Sequence, residues 1–240
     1  MSWLLIVAIG LGAGIISGII GFGATTLVMP VLVLTFGPKA AVPIMAIAAV
    51  LGNFSRIMVW WSAINWRAVG AYSIPAVPSA AIGARVMLEL NPTLLDLILG
   101  GFFIAMIPIR RWFLKRSITV PLWGLFFAGS VIGFLTGIVA NTGPINTPFF
   151  LAHGLVKGPF IGTEAMSSLF MFSSKSAAFR YLGALPDDVL LNGLIVGSTL
   201  MIGAWIAKRF VEKLDENHFR GLMDGVLLIA GIAMIIGAFL

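Results

Sequence analysis

A chain of 240 residues that is 60% hydrophobic, with 15 basic and 9 acidic side chains, cannot cover itself with a water-soluble surface. Soluble proteins devote about a quarter of their residues to charge; here the fraction is 10% and the mean hydropathy is +1.07. The chain therefore reads as a polytopic membrane protein, which excludes a soluble enzyme, a nucleic-acid binder and a disordered tail protein. The formal charge of +6 sits in short loops and argues for no nucleic-acid partner. There is no Cys, so no disulfide, thiol chemistry or Cys metal site is available. His153 and His218 are too far apart to hold a metal between them, and neither metal nor cofactor is expected.

Spanning a hydrocarbon core of about 30 Å takes roughly 20 apolar helical residues. Met1-Ser2-Trp3 carries no basic side chain before the first apolar run, so the first segment is expected to be a retained membrane helix rather than a signal sequence. It runs from Trp3 to Ile20 and ends at Gly21-Phe22-Gly23-Ala24-Thr25-Thr26. The second, Thr26 to Phe36, is short for a crossing. The third spans Pro38–Ile64, the fourth Trp66–Leu90 and the fifth Pro92–Pro108, before a linker with Arg110, Arg111, Lys115 and Arg116. The sixth covers Pro121–Val139 and ends at Ala140-Asn141-Thr142-Gly143-Pro144. The seventh, Ile145–Leu155, is again short. The eighth, ninth and tenth run over Gly158–Gly183, Val189–Ala207 and His218–Leu240. Period-two alternation is absent, so all ten segments are expected to be helical. Trp60, Trp61, Trp66, Trp112 and Trp123 fall at segment ends, as an interfacial aromatic belt requires.

The order long, short, long, long, long occurs twice. Ser17-Gly18 matches Thr136-Gly137, Pro30 matches Pro148, Ser55-Arg56 matches Ser174-Lys175, and Ile82-Gly83-Ala84 matches Ile202-Gly203-Ala204, all at offsets of 118 to 120 positions. The expected architecture is two repeats of five segments, 1–113 and 121–240, joined by a basic cytoplasmic linker at 114–120. With the basic linker inside, Arg67, Arg110, Arg111, Lys115, Arg116, Lys157, Lys208, Arg209, Lys213 and Arg220 are cytoplasmic. Lys39, Arg85 and Arg180 are external. This positive-inside bias sets both termini outside. An odd number of segments per half makes the repeats inverted, the usual plan of secondary transporters.

A helix broken within a bilayer leaves backbone groups unpaired, and this is tolerated only inside protein or beside water. Breaks at matching places in two halves point to a binding site. The two tips offer Gly21, Gly23, Thr25 and Thr26 in one half and Asn141, Thr142, Gly143 and Asn146 in the other. Helix N-termini there favour anions; the alternative is that Gly and Thr simply allow close packing. Arg56 and Lys175 each lie about eight residues before their segment ends. Ionisable groups at such depth usually face a cavity, although both side chains could also snorkel. With Asn53, Ser55, Ser173 and Ser174 they make two cationic patches able to hold an anion between them. Glu164 is a candidate for proton coupling; pairing with Lys157 or capping a helix turn is the alternative reading. Asp96 and Asp224 are read as structural, the latter paired with Arg220 at i, i+4. No catalytic arrangement or nucleotide-binding loop is present, so no enzyme is expected.

The stretch Gly14-Ile15-Ile16-Ser17-Gly18-Ile19-Ile20-Gly21-Phe22-Gly23, continuing to Pro30, resembles the N-terminal motif of the TauE/SafE family of sulfite and organosulfonate exporters. Gly133-Phe134-Leu135-Thr136-Gly137, with Thr142-Gly143-Pro144 and Pro148, resembles its second copy. The likeness covers essentially the whole chain. Ala24-Thr25 and Asn141-Thr142 stand where the family tends to carry more glycine. The resemblance implies transport of a small sulfur-containing anion such as sulfite, sulfoacetate or a related sulfonate, with the two tips forming the site. The expected protein is a multi-pass secondary transporter of the inner (plasma) membrane working by alternating access. Its partners are a small anion, the bilayer and, in a homodimer, a second copy. An anion channel using the same tips as a filter and a non-transporting membrane subunit are the competing readings.

Overall fold

The computed structural model describes residues 3–20, 24–91, 119–139 and 142–211, and between 92 and 118 only residues 94, 97, 101, 104, 105, 108 and 112. Gly21, Gly23, Asn141, Asp96, the four basic residues of the linker and the whole tenth segment lie outside the described residues. Among the described residues there is no strand and there are eight α-helices: α1 Trp3–Ile20, α2 Ala24–Phe36, α3 Pro38–Trp60, α4 Trp66–Glu89, α5 Leu122–Ile138, α6 Gly143–Ala152, α7 Lys157–Tyr181 and α8 Asp187–Val211. These match the first to fourth and sixth to ninth expected segments. Leu94, Leu97, Gly101, Ile104, Ala105, Pro108 and Trp112, within and just beyond the fifth, are also helical.

The helix ends follow local chemistry. Gly37, at φ 76°, turns the chain between α2 and α3, and Pro38 opens α3, where a missing N–H leaves nothing unpaired. Asn65 caps α4 by accepting the Ala68 N–H at 3.1 Å. α6 starts at Gly143 rather than Ile145 because a proline occupies its first turn, where its fixed φ suits a helix start. Its far end is held to the start of α5: Val120 N–H donates to Ala152 O at 2.9 Å, and His153 Nδ1 lies 2.8 Å from Val120 O.

Pro38–Ala63 and Asp187–Ala207 are long and apolar enough to cross a membrane; Val7–Ile19, Leu27–Phe36 and Leu122–Ile138 are shorter apolar helices. α7 is largely buried and carries Glu164, Lys175 and five serines. A helix surrounded by protein need not be apolar on every side, which is why hydropathy alone understates it.

Two helix pairs form the most extensive contacts, α4 with α5 and α1 with α8; α3 packs on α8 and α7, and α4 on α7. The two largest pairings rest on glycine ladders. A Cβ added to Gly14 would lie 2.9 Å from Leu200 Cα, and one added to Gly18 would lie 2.8 Å from Ala204 Cα. On the other side, a Cβ on Gly133 would lie 2.6 Å from Ala76 Cα. Gly10, Gly14 and Gly18 of α1 and Gly129, Gly133 and Gly137 of α5 stand 119 positions apart, pair by pair. Without Cβ atoms the backbones touch, and dispersion between them replaces the hydrophobic drive that lipid cannot supply.

Candidate functional site

α3 packs across α7, and a cavity opens beside this crossing between α1, α2, α3, α7 and α8. Its polar wall is Ser17, Thr25, Asn53, Arg56, Glu164 and Ser168; Met45, Phe172 and Leu200 supply apolar surface. About 30 Å³ is open to the centre of a water molecule, more than the roughly 10–15 Å³ one water needs. The helix faces explain the composition. Met45, Ala49, Asn53 and Arg56 recur at three- and four-residue steps along one face of α3, with Gly52 beside them, and Glu164, Ser168 and Phe172 at four-residue steps along α7.

Arg56 is the charged centre of this wall and is 7% exposed. Its Nη1 donates to Glu164 Oε2 at 3.1 Å and its Nη2 to Asn53 Oδ1. Its Nε–H is buried without a partner among the described residues. Glu164 is 1% exposed, and its second oxygen, Oε1, accepts from Ser168 Oγ at 2.7 Å. The carboxylate is thus held by a cation and a hydroxyl, which a buried charge requires. Glu164 pairs across the α3–α7 crossing rather than with Lys157, and this is the partner the sequence reading missed.

Lys175 has a different environment. It is fully buried, and its Nζ donates to Thr136 O at 2.7 Å and Val139 O at 2.8 Å, with the Phe179 ring centroid 5.5 Å away. Those carbonyls belong to the end of α5, where helix acceptors go unpaired and the dipole is negative. Lys175 therefore closes the broken end of α5. Beside it, Thr142 is hydrogen-bonded to the Thr136 hydroxyl, and Thr136 Oγ1 also donates to Ile132 O at 2.7 Å. Replacing Lys175 by Met should strand two buried carbonyls at about 1–3 kcal/mol each. The expected result is a lower thermal midpoint in detergent, with faster thiol labelling of a Thr142→Cys reporter in this otherwise Cys-free chain.

The other expected site residues divide by position. Asn53, Arg56, Glu164 and Thr25 meet at the cavity. Thr142 and Asn146 are buried with the α5 end, and Asn146 Oδ1 accepts from Tyr72 Oη at 2.6 Å. Gly143 O accepts from Thr147 Oγ1 at 2.8 Å. Ser55 and Ser174 join helices, donating to Met201 O at 3.2 Å and Val77 O at 2.8 Å. Ser173 is exposed. Thr26 lies in the first turn of α2. Ser17 and Ser168 were not anticipated. Ser17 was visible in its match to Thr136, and Ser168 in its i+4 spacing from Glu164.

Comparison with known proteins places this geometry in context. The family model described as Sulfite exporter TauE/SafE matches residues 6–234. The chain is 27% identical to the "Probable sulfite/organosulfonate exporter TauE" of Cupriavidus necator, over 95% of this chain and 92% of that protein. It is 22% identical to the "Probable membrane transporter protein YjnA" of Bacillus subtilis, over 96% of this chain and 98% of that protein. It is 26% identical to the "Probable membrane transporter protein y4hK" of Sinorhizobium fredii, over 72% of each chain. No solved structure matches. A match across nearly the full length makes this chain, whose described residues hold no strand, a transporter of the Sulfite exporter TauE/SafE family.

Proposed function

We propose that this chain is a secondary transporter that moves a small sulfur-containing anion, such as sulfite, sulfoacetate or a related sulfonate, across the inner membrane by alternating access. The observation that carries the proposal is Arg56: a buried guanidinium at the wall of a cavity, whose Nε–H has no partner among the described residues. Asn53, Ser17 and Thr25 line the same space and can complete an anion's hydrogen bonds. The sulfur chemistry comes from the name of the Cupriavidus necator relative.

The packing supports the inverted-repeat reading. Exchanging the halves turns the α4–α5 pairing into α8–α1 and the α3–α8 pairing into α7–α4, and both members of each set occur. Met45 and Glu164, and likewise Ala49 and Ser168, stand 119 positions apart and line one cavity. The cavity would then straddle the axis relating the halves, where transporters of this plan bind substrate. In this reading residues 1–113 and 121–240 rock about the α3–α7 crossing, and the distribution of Lys and Arg sets both termini outside.

Thermal stabilisation of the purified chain against sulfite, sulfate, thiosulfate, sulfoacetate, taurine, acetate and chloride tests the site. A ligand at 100 times its Kd adds about 2.7 kcal/mol. A shift with a sulfur oxyanion but not with acetate or chloride is expected; identical responses to all seven would overturn the assignment.

A further inference from the structure

The cation proposed to hold the substrate is already occupied by a carboxylate of the protein. Glu164 Oε2 sits 3.1 Å from Arg56 Nη1, inside the wall of the cavity an anion would enter. A guanidinium carries five N–H groups; one on Nη1 and one on Nη2 are committed to Glu164 and Asn53, and an oxyanion meeting it in two-point fashion shares that guanidinium with Glu164. An anion in this space therefore stands beside the Glu164 carboxylate. A second negative charge beside a carboxylate favours its protonated form. A sulfonate cannot take up a proton near neutral pH, and the Glu164 carboxyl can.

We propose that a proton and the anion are carried together, with Glu164 as the proton carrier and Arg56 as the shared partner for which carboxylate and anion compete. This rests on the anion-site reading above. The step balances: Glu164 Oε2 releases Arg56 Nη1 and takes one proton from the bulk solution by way of cavity water, while the anion's oxygens accept from the guanidinium N–H groups, which stay protonated. Empty and loaded with a monoanion, the site has the same net charge, so both forms can reorient without moving charge across the membrane. Ser168, which donates to Oε1 at 2.7 Å, holds the carboxyl in either form.

The groups facing Glu164 leave it as the proton site. From α3 it meets Arg56. From α4 it meets Tyr72, whose hydroxyl is committed to Asn146, while Arg67, Arg85 and Glu89 are exposed. α6 carries no titratable side chain. On α7 itself Lys175 is eleven positions on, roughly 16 Å along the helix, and bound to the α5 carbonyls.

The test counts protons. Methanesulfonate or sulfate, neither of which titrates between about pH 6 and about pH 8, is added to the purified full chain in weakly buffered solution with a pH indicator. Expected is one proton taken up per anion bound, with Kd rising about tenfold per pH unit, as one-proton linkage requires. Glu164→Gln should bind with no proton uptake and with pH-independent affinity; Glu164→Asp should keep the uptake. In vesicles, a pH gradient should drive methanesulfonate accumulation while a potassium diffusion potential should not. Binding without proton uptake in the wild-type chain overturns the coupling and leaves the anion site standing. Proton uptake that survives in Glu164→Gln overturns the choice of carrier. If Gln does not fold, the wild-type count and the Asp variant decide. Binding of neither anion at any pH overturns the anion-site reading and the coupling with it.

Discussion

Arg56→Gln should abolish stabilisation by any anion and also weaken the protein by about 3–5 kcal/mol, the usual consequence of leaving one member of a buried ion pair alone. The Gln amide can still bond Asn53 but leaves the Glu164 carboxylate without a cation. Loss of function in that variant therefore has two causes, and a second variant separates them. Replacing both members, Arg56→Met with Glu164→Met, removes the uncompensated charge. Paired apolar replacement of a buried ion pair is often neutral or stabilising by about 1–4 kcal/mol. The double variant is thus expected to purify as a monodisperse protein with a thermal midpoint at or above wild type, yet to bind and transport nothing. A double variant that still transports would remove Arg56 from the site. One that collapses like Arg56→Gln would make the pair a structural feature first.

The second large effect is expected at the glycine ladders. A Cβ on Gly133 meets Ala76 Cα at 2.6 Å, and one on Gly14 meets Leu200 Cα at 2.9 Å. Backbone atoms cannot swing aside as a side chain can. Overpacking of this kind costs about 1–3 kcal/mol and sometimes more, and Leu adds four carbons rather than one. Gly14→Leu and Gly133→Leu are expected to separate α1 from α8 and α4 from α5, giving aggregated or poorly inserted protein on size exclusion. Gly12 of α1 and Gly70 of α4 have nothing within 4 Å of an added Cβ. Gly12→Leu and Gly70→Leu should therefore behave like wild type. Equal damage at all four positions would indicate a general intolerance of bulk rather than these two crossings.

Much of this architecture is legible in the amino-acid sequence because bilayer-spanning helices announce themselves by length and apolarity. α1 and α3 begin at the expected residues, and α2 ends where Phe36 precedes Gly37. The glycine ladders were equally visible as a spacing of four, though only Gly18 and Gly137 entered the repeat matches. What was not legible depends on helix crossings. Glu164 and Arg56 are 108 positions apart, and nothing local in either segment marks the other as its partner; the nearest basic residue in sequence, Lys157, suggested a different pairing. Lys175 is bound to main-chain carbonyls, which have no side-chain signature at all. Ser55 and Ser174 looked like site hydroxyls because each adjoins a buried cation. Helix periodicity instead turns each onto a neighbouring helix, α8 in one half and α4 in the other.

Arg56 and Lys175, matched at an offset of 119 positions, differ in environment. Lys175 closes a broken helix end; Arg56 lines a cavity and is held by Asn53 and Glu164.

Counterflow in proteoliposomes containing only this chain is the most direct test of the central claim. Vesicles loaded with unlabelled sulfoacetate should draw in external labelled sulfoacetate to a transient excess, with saturable initial rates, and the Arg56→Met, Glu164→Met double variant should give none. Uptake that neither saturates nor overshoots would mean a channel. No uptake by the folded wild-type chain of sulfoacetate, sulfite or methanesulfonate would contradict the account.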